Sequence, residues 1–168
     1  MTPALLLLSI VTAERLGELW LARRNTTALL ANGAFEVAPE HYLVIVLLHA
    51  VWLAGLWLIG WANPINLGWL AIFLGLQGLR VWVLTTLGRR WTTRIIILPH
   101  APLVAAGPYR YVSHPNYLVV MGEIAVLPLC LGLPWYALAF SAANAAVLAI
   151  RIRAENSALV GLRDVARS

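Results

Sequence analysis

Five apolar stretches, each close to the length of a bilayer crossing, constrain what this chain can fold into. They cover roughly residues 3–22, 41–61, 66–87, 116–132 and 135–155. A helix needs about 20 mostly apolar residues to cross a membrane. In hydrocarbon every backbone N–H and C=O must be satisfied within its own segment, which favours helices over open sheets. A soluble domain carries about 25% charged residues; this chain has 11%, with 61% hydrophobic. The expectation is an all-α, polytopic transmembrane bundle of about five helices, one domain over residues 1–168. The fourth stretch is short, and Pro128 and Pro134 are placed to bend or end it. The fifth is expected to run past the lipid as an amphipathic helix ending near Gly161. The start, Met1-Thr2-Pro3, has no basic region before its apolar run, and Glu14, Arg15 and Glu18 continue a helical pattern. It reads as a retained first membrane helix and not a cleaved leader.

The charges orient the stack. All twelve basic residues are Arg, and the net charge is +5. Arg23 and Arg24 follow the first stretch. Arg89, Arg90, Arg94 and Arg110 follow the third, and Arg151, Arg153, Arg163 and Arg167 follow the fifth. The short loops at 62–65 and 131–134 carry no charge. By the positive-inside rule this places the N-terminus outside and the C-terminus in the cytoplasm. The same clustering in loops argues against nucleic acid, since a groove-binding protein spreads its basic residues along a stripe with polar neighbours. Residues 24–40 read as a cytoplasmic connector. Residues 88–115 form the longest region outside the helices, and loops of that length in a compact domain usually carry function. Arg-only usage and compactness fit a bacterial inner-membrane protein.

Within that region lies Gly107-Pro108-Tyr109-Arg110-Tyr111-Val112-Ser113-His114-Pro115-Asn116-Tyr117. Its prolines block an ordinary helix and push the preceding residues toward extended conformations. Irregular polar backbone beside a membrane is tolerated where it is buried in protein or lines a cavity. This run resembles the central motif of the isoprenylcysteine carboxyl methyltransferase family, whose members are membrane enzymes that use S-adenosyl-L-methionine. Downstream, Arg151-Ile152-Arg153-Ala154-Glu155 is similar to the family's R-x-x-x-E segment. The resemblance covers roughly residues 85–160; the first third of the chain matches only as apolar helices.

The resemblance implies a cofactor and catalytic region over 88–160. Ala101, Pro102, Leu103 and Val104, then Tyr109, then His114, Pro115, Asn116 and Tyr117, would wrap the cofactor, largely through backbone groups. Glu155 would engage the cofactor and Arg151 the acceptor, making these two the catalytic candidates. Two departures stand out: Ser113 occupies a position where the family often has Arg, and Arg94 stands where eukaryotic members have a cofactor-contacting Gln. Read from the residues alone, Arg151 and Glu155 are i, i+4 and share a helix face. They are either an ordinary ion pair or a site in which a guanidinium binds a carboxylate. His114 precedes Pro115 at the start of the fourth helix, where free N–H groups attract negative charge; a capping or interfacial His is the alternative. The tyrosines equally suit an aromatic belt, which is the preferred reading of Tyr111.

Ionisable residues within membrane segments are functional candidates by default. Glu123 is placed to pair with Arg80 or Arg151, and Gln77 and Arg80 lie one turn apart. Glu14, Arg15 and Glu18 read as packing groups, and His49 beside Trp52 as a packed histidine. His41, His49, His100 and His114 have no metal-ligand spacing, and the lone Cys130 builds neither a disulfide nor a zinc site. With no strand pattern there is no phosphate loop, which excludes a soluble Rossmann-type methyltransferase.

The expected activity is S-adenosylmethionine-dependent methyl transfer to an oxygen of a lipophilic acceptor taken from the bilayer. That acceptor is either an isoprenylcysteine-like carboxylate or a lipid phenol or pyrone. The alternatives are a membrane transporter or assembly protein on a related scaffold, and a reductase-like relative. A transporter calls for broken helices or an internal repeat, and the sequence has neither.

Overall fold

In a computed structural model, residues 2–99, 101–102 and 104–165 are described, with side chains through Ala158. Five helices account for most of the chain: α1 (Pro3–Ala31), α2 (Glu40–Ile59), α3 (Leu67–Leu87), α4 (Pro115–Cys130) and α5 (Pro134–Val165). The protein is an all-α membrane bundle. Three helical spans, Glu40–Ile59, Leu67–Arg90 and Pro134–Ala158, are long and apolar enough to cross a bilayer, with mean hydropathies of 2.3, 1.6 and 1.4. α4 is apolar but shorter. α1 carries Glu14, Arg15 and Glu18 in its middle.

The surface is inverted relative to a soluble protein. Leu58, Leu67 and Trp135 are all more than 70% exposed, as expected of side chains solvated by lipid tails. The interior is a continuous apolar cluster of Leu8, Val11, Trp52, Leu56, Phe73, Ile124, Leu127 and Cys130. A smaller cluster of Ala22, Val83, Trp91 and Val119 packs where the long loop meets the helices.

Helix ends follow local chemistry. Thr2 caps α1 by accepting from the Leu5 N–H, with Pro3 beginning the helix, and Asn66 caps α3 by accepting from the Trp69 N–H. These side-chain oxygens satisfy N–H groups that have no partner in the first turn. α1 extends nine residues beyond the predicted end near residue 22, to Ala31. Much of the expected connector at 24–40 is therefore helix. Charge marks where a helix leaves the lipid; ending it takes a breaker, and the first is Gly33, at φ +86°. The fifth helix likewise continues past Gly161 to Val165. Pro128 lies in the last turn of α4, which ends at Cys130, and Pro134 begins α5.

The long loop is anchored to the rest of the chain. Two-residue strands β1 (Phe35–Glu36) and β2 (Ile96–Ile97) pair antiparallel. They correct the expectation of no strand; elements this short leave no alternation to detect. The buried Asn25 amide of α1 donates to the Gly88 and Trp91 carbonyls at 3.2 and 2.8 Å. Gly107, at φ +54°, packs so closely that an added Cβ would collide with Thr86 on α3.

Candidate functional site

The inward face of α5 recurs at Ala137, Asn144, Leu148 and Arg151, all buried, and one more turn brings it to Glu155. These spacings of three, four and seven residues keep one stripe of a helix toward its neighbours. The stripe therefore delivers Arg151 and Glu155 to the end of the bundle where α4 begins and the long loop folds over.

Glu155 meets α4 there. The Tyr117 hydroxyl donates to Glu155 Oε2 at 2.8 Å, and His114 Nδ1 stands 3.9 Å from the same oxygen. The His114 and Tyr117 rings stack with centroids 5.3 Å apart and 18° between planes. Tyr109, in the 3₁₀ turn Gly107–Arg110, borders the same group. Burial pushes its phenol up to about 12, and the negative charge of Glu155 adds to the shift.

Arg151 is 4% exposed. Its Nη2 donates to the Thr93 backbone carbonyl at 2.9 Å, and the guanidinium borders the Tyr117 hydroxyl. Among the described residues no carboxylate lies within 4.0 Å of it. A buried cation without an anion is costly. The ordinary ion pair, one of the two readings open for Arg151 and Glu155, does not form: Tyr117 takes the Glu155 carboxylate, and a main-chain oxygen takes Arg151.

Of the predicted site residues, the structure gathers Tyr109, His114, Tyr117, Arg151 and Glu155. Asn116 turns away, its Oδ1 accepting from Trp91 Nε1 at 3.4 Å. Pro115 is buried as the first residue of α4. Ala101, Pro102 and Val104 lie in the loop, where the Pro102 carbonyl accepts from Arg90 at 2.9 Å. Leu103 lies outside the described residues, as do His100 and the side chains of Arg163 and Arg167. Tyr111 is 76% exposed, in keeping with a belt position. Arg94 donates to both oxygens of Glu36 at 3.0 and 2.8 Å.

Glu123 belongs to a separate polar cluster inside the bundle. Arg80 donates to it through Nε at 2.7 Å and through Nη2. Gln77 and Arg15 add bonds at 2.8 and 3.1 Å, and Glu18 accepts from Arg80 at 3.1 Å. Of the two partners the sequence allowed Glu123, the structure selects Arg80. Sequence reasoning missed Thr93, Trp91 and Asn25. Thr93 and Trp91 act on their partners largely through main-chain oxygens, which have no residue signature; Asn25, a lone amide beside an Arg pair, was the one detectable signal. A cleft of about 570 Å³ opens at the other end of the bundle, among Pro64, Ile65, Asn66, Trp69 and Leu129. No charged side chain lines it.

The sequence model of the Isoprenylcysteine carboxyl methyltransferase (ICMT) family matches residues 69–161, more than half of the chain and including every gathered residue. The chain belongs to this family. It is thus a membrane protein of a methyltransferase family. Among curated relatives, Uncharacterized protein YpbQ of Bacillus subtilis is 37% identical over 159 residues, covering 92% of this chain and 95% of its own length. An uncharacterized protein of Haemophilus influenzae is 28% identical over 165 residues, covering 89% and 90%. No solved structure matches significantly. The family match begins at Trp69, so α1, α2 and strand β1 lie outside it, while β2 lies within.

Proposed function

We propose that this protein transfers a methyl group from S-adenosyl-L-methionine to an oxygen of a lipophilic acceptor, at a site on the cytoplasmic side of a bacterial inner membrane. The observation that carries the reading is Arg151: a buried guanidinium with a carbonyl partner and, among the described residues, no carboxylate, beside a carboxylate already held by a tyrosine. Such a guanidinium suits an anionic oxygen that arrives with a substrate.

The residues present fit the cofactor. Glu155 offers a carboxylate toward a cationic or hydroxylated part, the stacked His114 and Tyr117 rings offer an aromatic face, and the start of α4 offers the Asn116 N–H, since the Tyr117 and Leu118 N–H groups are taken by the His114 carbonyl. When bound, S-adenosylmethionine supplies an electrophilic methyl group. The chain's own contribution is positional and electrostatic: Tyr117 fixes Glu155, Thr93 fixes Arg151, and Arg151 draws the acceptor oxygen to a defined place. Holding two reactants in line is the main catalytic requirement of such a displacement. A carboxylate acceptor is already ionised near neutral pH and needs no base. An acceptor with a long apolar tail can reach the site from the bilayer, because the helices around it expose apolar side chains to lipid.

Calorimetric titration of detergent-solubilised protein with S-adenosylmethionine and S-adenosylhomocysteine tests the reading. Wild type should bind both, and Glu155→Ala should bind neither. A folded, monodisperse wild type that binds neither compound sinks the proposal.

A further inference from the structure

Thr93 faces two ways. Its carbonyl accepts from Arg151, and its hydroxyl donates to the Tyr42 oxygen at 3.4 Å. Thr93 thereby links the first turn of α2 to the buried guanidinium. Tyr42 lies outside the segment that matches the family, 109 residues before Arg151 in sequence.

Tyr42 is braced more heavily than a surface tyrosine needs. The Arg94 guanidinium sits 4.2 Å over its ring, and Arg94 is itself gripped by both oxygens of Glu36. Glu36 is fixed by strand pairing with Ile96, and the next residue, Val37, donates its N–H to the Ile95 carbonyl at 2.9 Å. Between this pairing and α2, Ala38 takes φ +48°, a left-handed conformation that L-residues rarely adopt. The chain thus holds one phenol ring in place through a stack, an ion pair and a strained turn. The hydroxyl it presents accepts from Thr93, and among the described residues no acceptor is recorded for its own proton.

We infer that Tyr42 is an acceptor-binding residue, and that its O–H and the uncommitted donors of Arg151 together receive an anion whose charge is shared between two oxygens. One of the five N–H donors of Arg151 is spent on Thr93, and the Tyr42 O–H adds a donor from outside the guanidinium for the second oxygen of such an anion. Carboxylates have this chemistry, and so do vinylogous acids such as a hydroxypyrone; a simple phenol, with one oxygen, does not. This inference rests on the methyltransferase reading above for what the bound anion is used for, but the binding itself needs no cofactor.

The test is direct binding, without cofactor, of four probes to purified protein in detergent. They are N-acetyl-S-farnesylcysteine, a 6-alkyl-4-hydroxy-2-pyrone, the methyl ester of the first and an alkylphenol of matched chain length. Wild type should bind at least one of the two anions, and the preferred anion identifies the acceptor's source. Tyr42→Phe keeps the ring and its stack, and should weaken that anion by about tenfold or more, the scale of a hydrogen bond to a charged group. It should leave the ester and the phenol unchanged. Thermal midpoint and S-adenosylmethionine affinity should match wild type, and Tyr111→Phe is the silent control. Equal anion affinity in wild type and Tyr42→Phe overturns the inference while leaving the methyltransferase reading intact. Wild type that binds neither anion overturns it as well. Loss of cofactor binding in wild type instead strikes the methyltransferase reading alone.

Discussion

Arg80 and Arg151 are equally buried, each 4% exposed, yet they do different work. Arg80 sits between α1, α3 and α4 with Glu123 and Glu18 both on its guanidinium. Arg151 sits midway along α5, where α4 begins, with one main-chain carbonyl. Burial alone therefore does not separate a structural charge from a functional one; what the neighbours leave unsatisfied does. A saturated cluster fixes helices relative to one another. A cation left with neutral partners among the described residues is, on the proposed reading, the place for an anion from elsewhere.

The largest effect should come from Arg80. Arg80→Ala leaves Glu18 and Glu123 without their main cation, and breaking a buried pair from one side costs about 3–5 kcal/mol. Thermal unfolding in detergent should show a fall in midpoint of many degrees. An unchanged midpoint would break the comparison at its structural end. Arg151→Ala should do the reverse. Methyl transfer should fall by about a hundredfold or more, the scale of losing one preorganised charge-stabilising group, while the midpoint stays near wild type because no carboxylate is orphaned. If Arg151→Ala unfolds the protein, both arginines are structural.

Smaller effects sharpen the picture. Tyr117→Phe frees the Glu155 carboxylate from its 2.8 Å hydrogen bond and should weaken S-adenosylmethionine binding by roughly tenfold in calorimetry. Cofactor affinity equal to wild type would show that Glu155 needs no positioning. The smallest effect is at Tyr109. Its phenol is raised in the folded state to about 12 from an unfolded value of 10.0. The folded protein holds this proton more tightly, so the contribution to stability is full below pH 10 and is lost as pH rises from 10 toward 12. Stability measured across that window should decline less in Tyr109→Phe than in wild type. A difference appearing below pH 9 would contradict the assignment.

The helices were legible because bilayer thickness sets their length and lipid sets their composition. The reach of α1 to Ala31 was not, since hydropathy reports the lipid boundary and not the end of hydrogen bonding. The site was legible in part. The polar run 107–117 and the Arg151–Glu155 segment do meet, and Tyr117 reaches Glu155 across 38 positions. Whether Arg151 and Glu155 pair with each other stayed open in the sequence because a shared helix face says nothing of what a neighbouring helix inserts between. Thr93 escaped notice because its contact with Arg151 is made by its backbone, and Tyr42 because its place depends on two strands of two residues each.

The polar cluster around Arg80 also has a consequence for how the protein is made. Arg15 emerges early, and its partner Glu123 follows 108 residues later; Glu18 waits for Arg80 across 62. At about 5–20 residues per second, the first helix spends several seconds or more with only its internal pair, Arg15 to Glu18 at 2.9 Å, in place. The contacts that α1 makes to Arg80 and Glu123 can form only after α3 and α4 have been synthesised, so its packing into the bundle is completed late despite its place at the start of the chain.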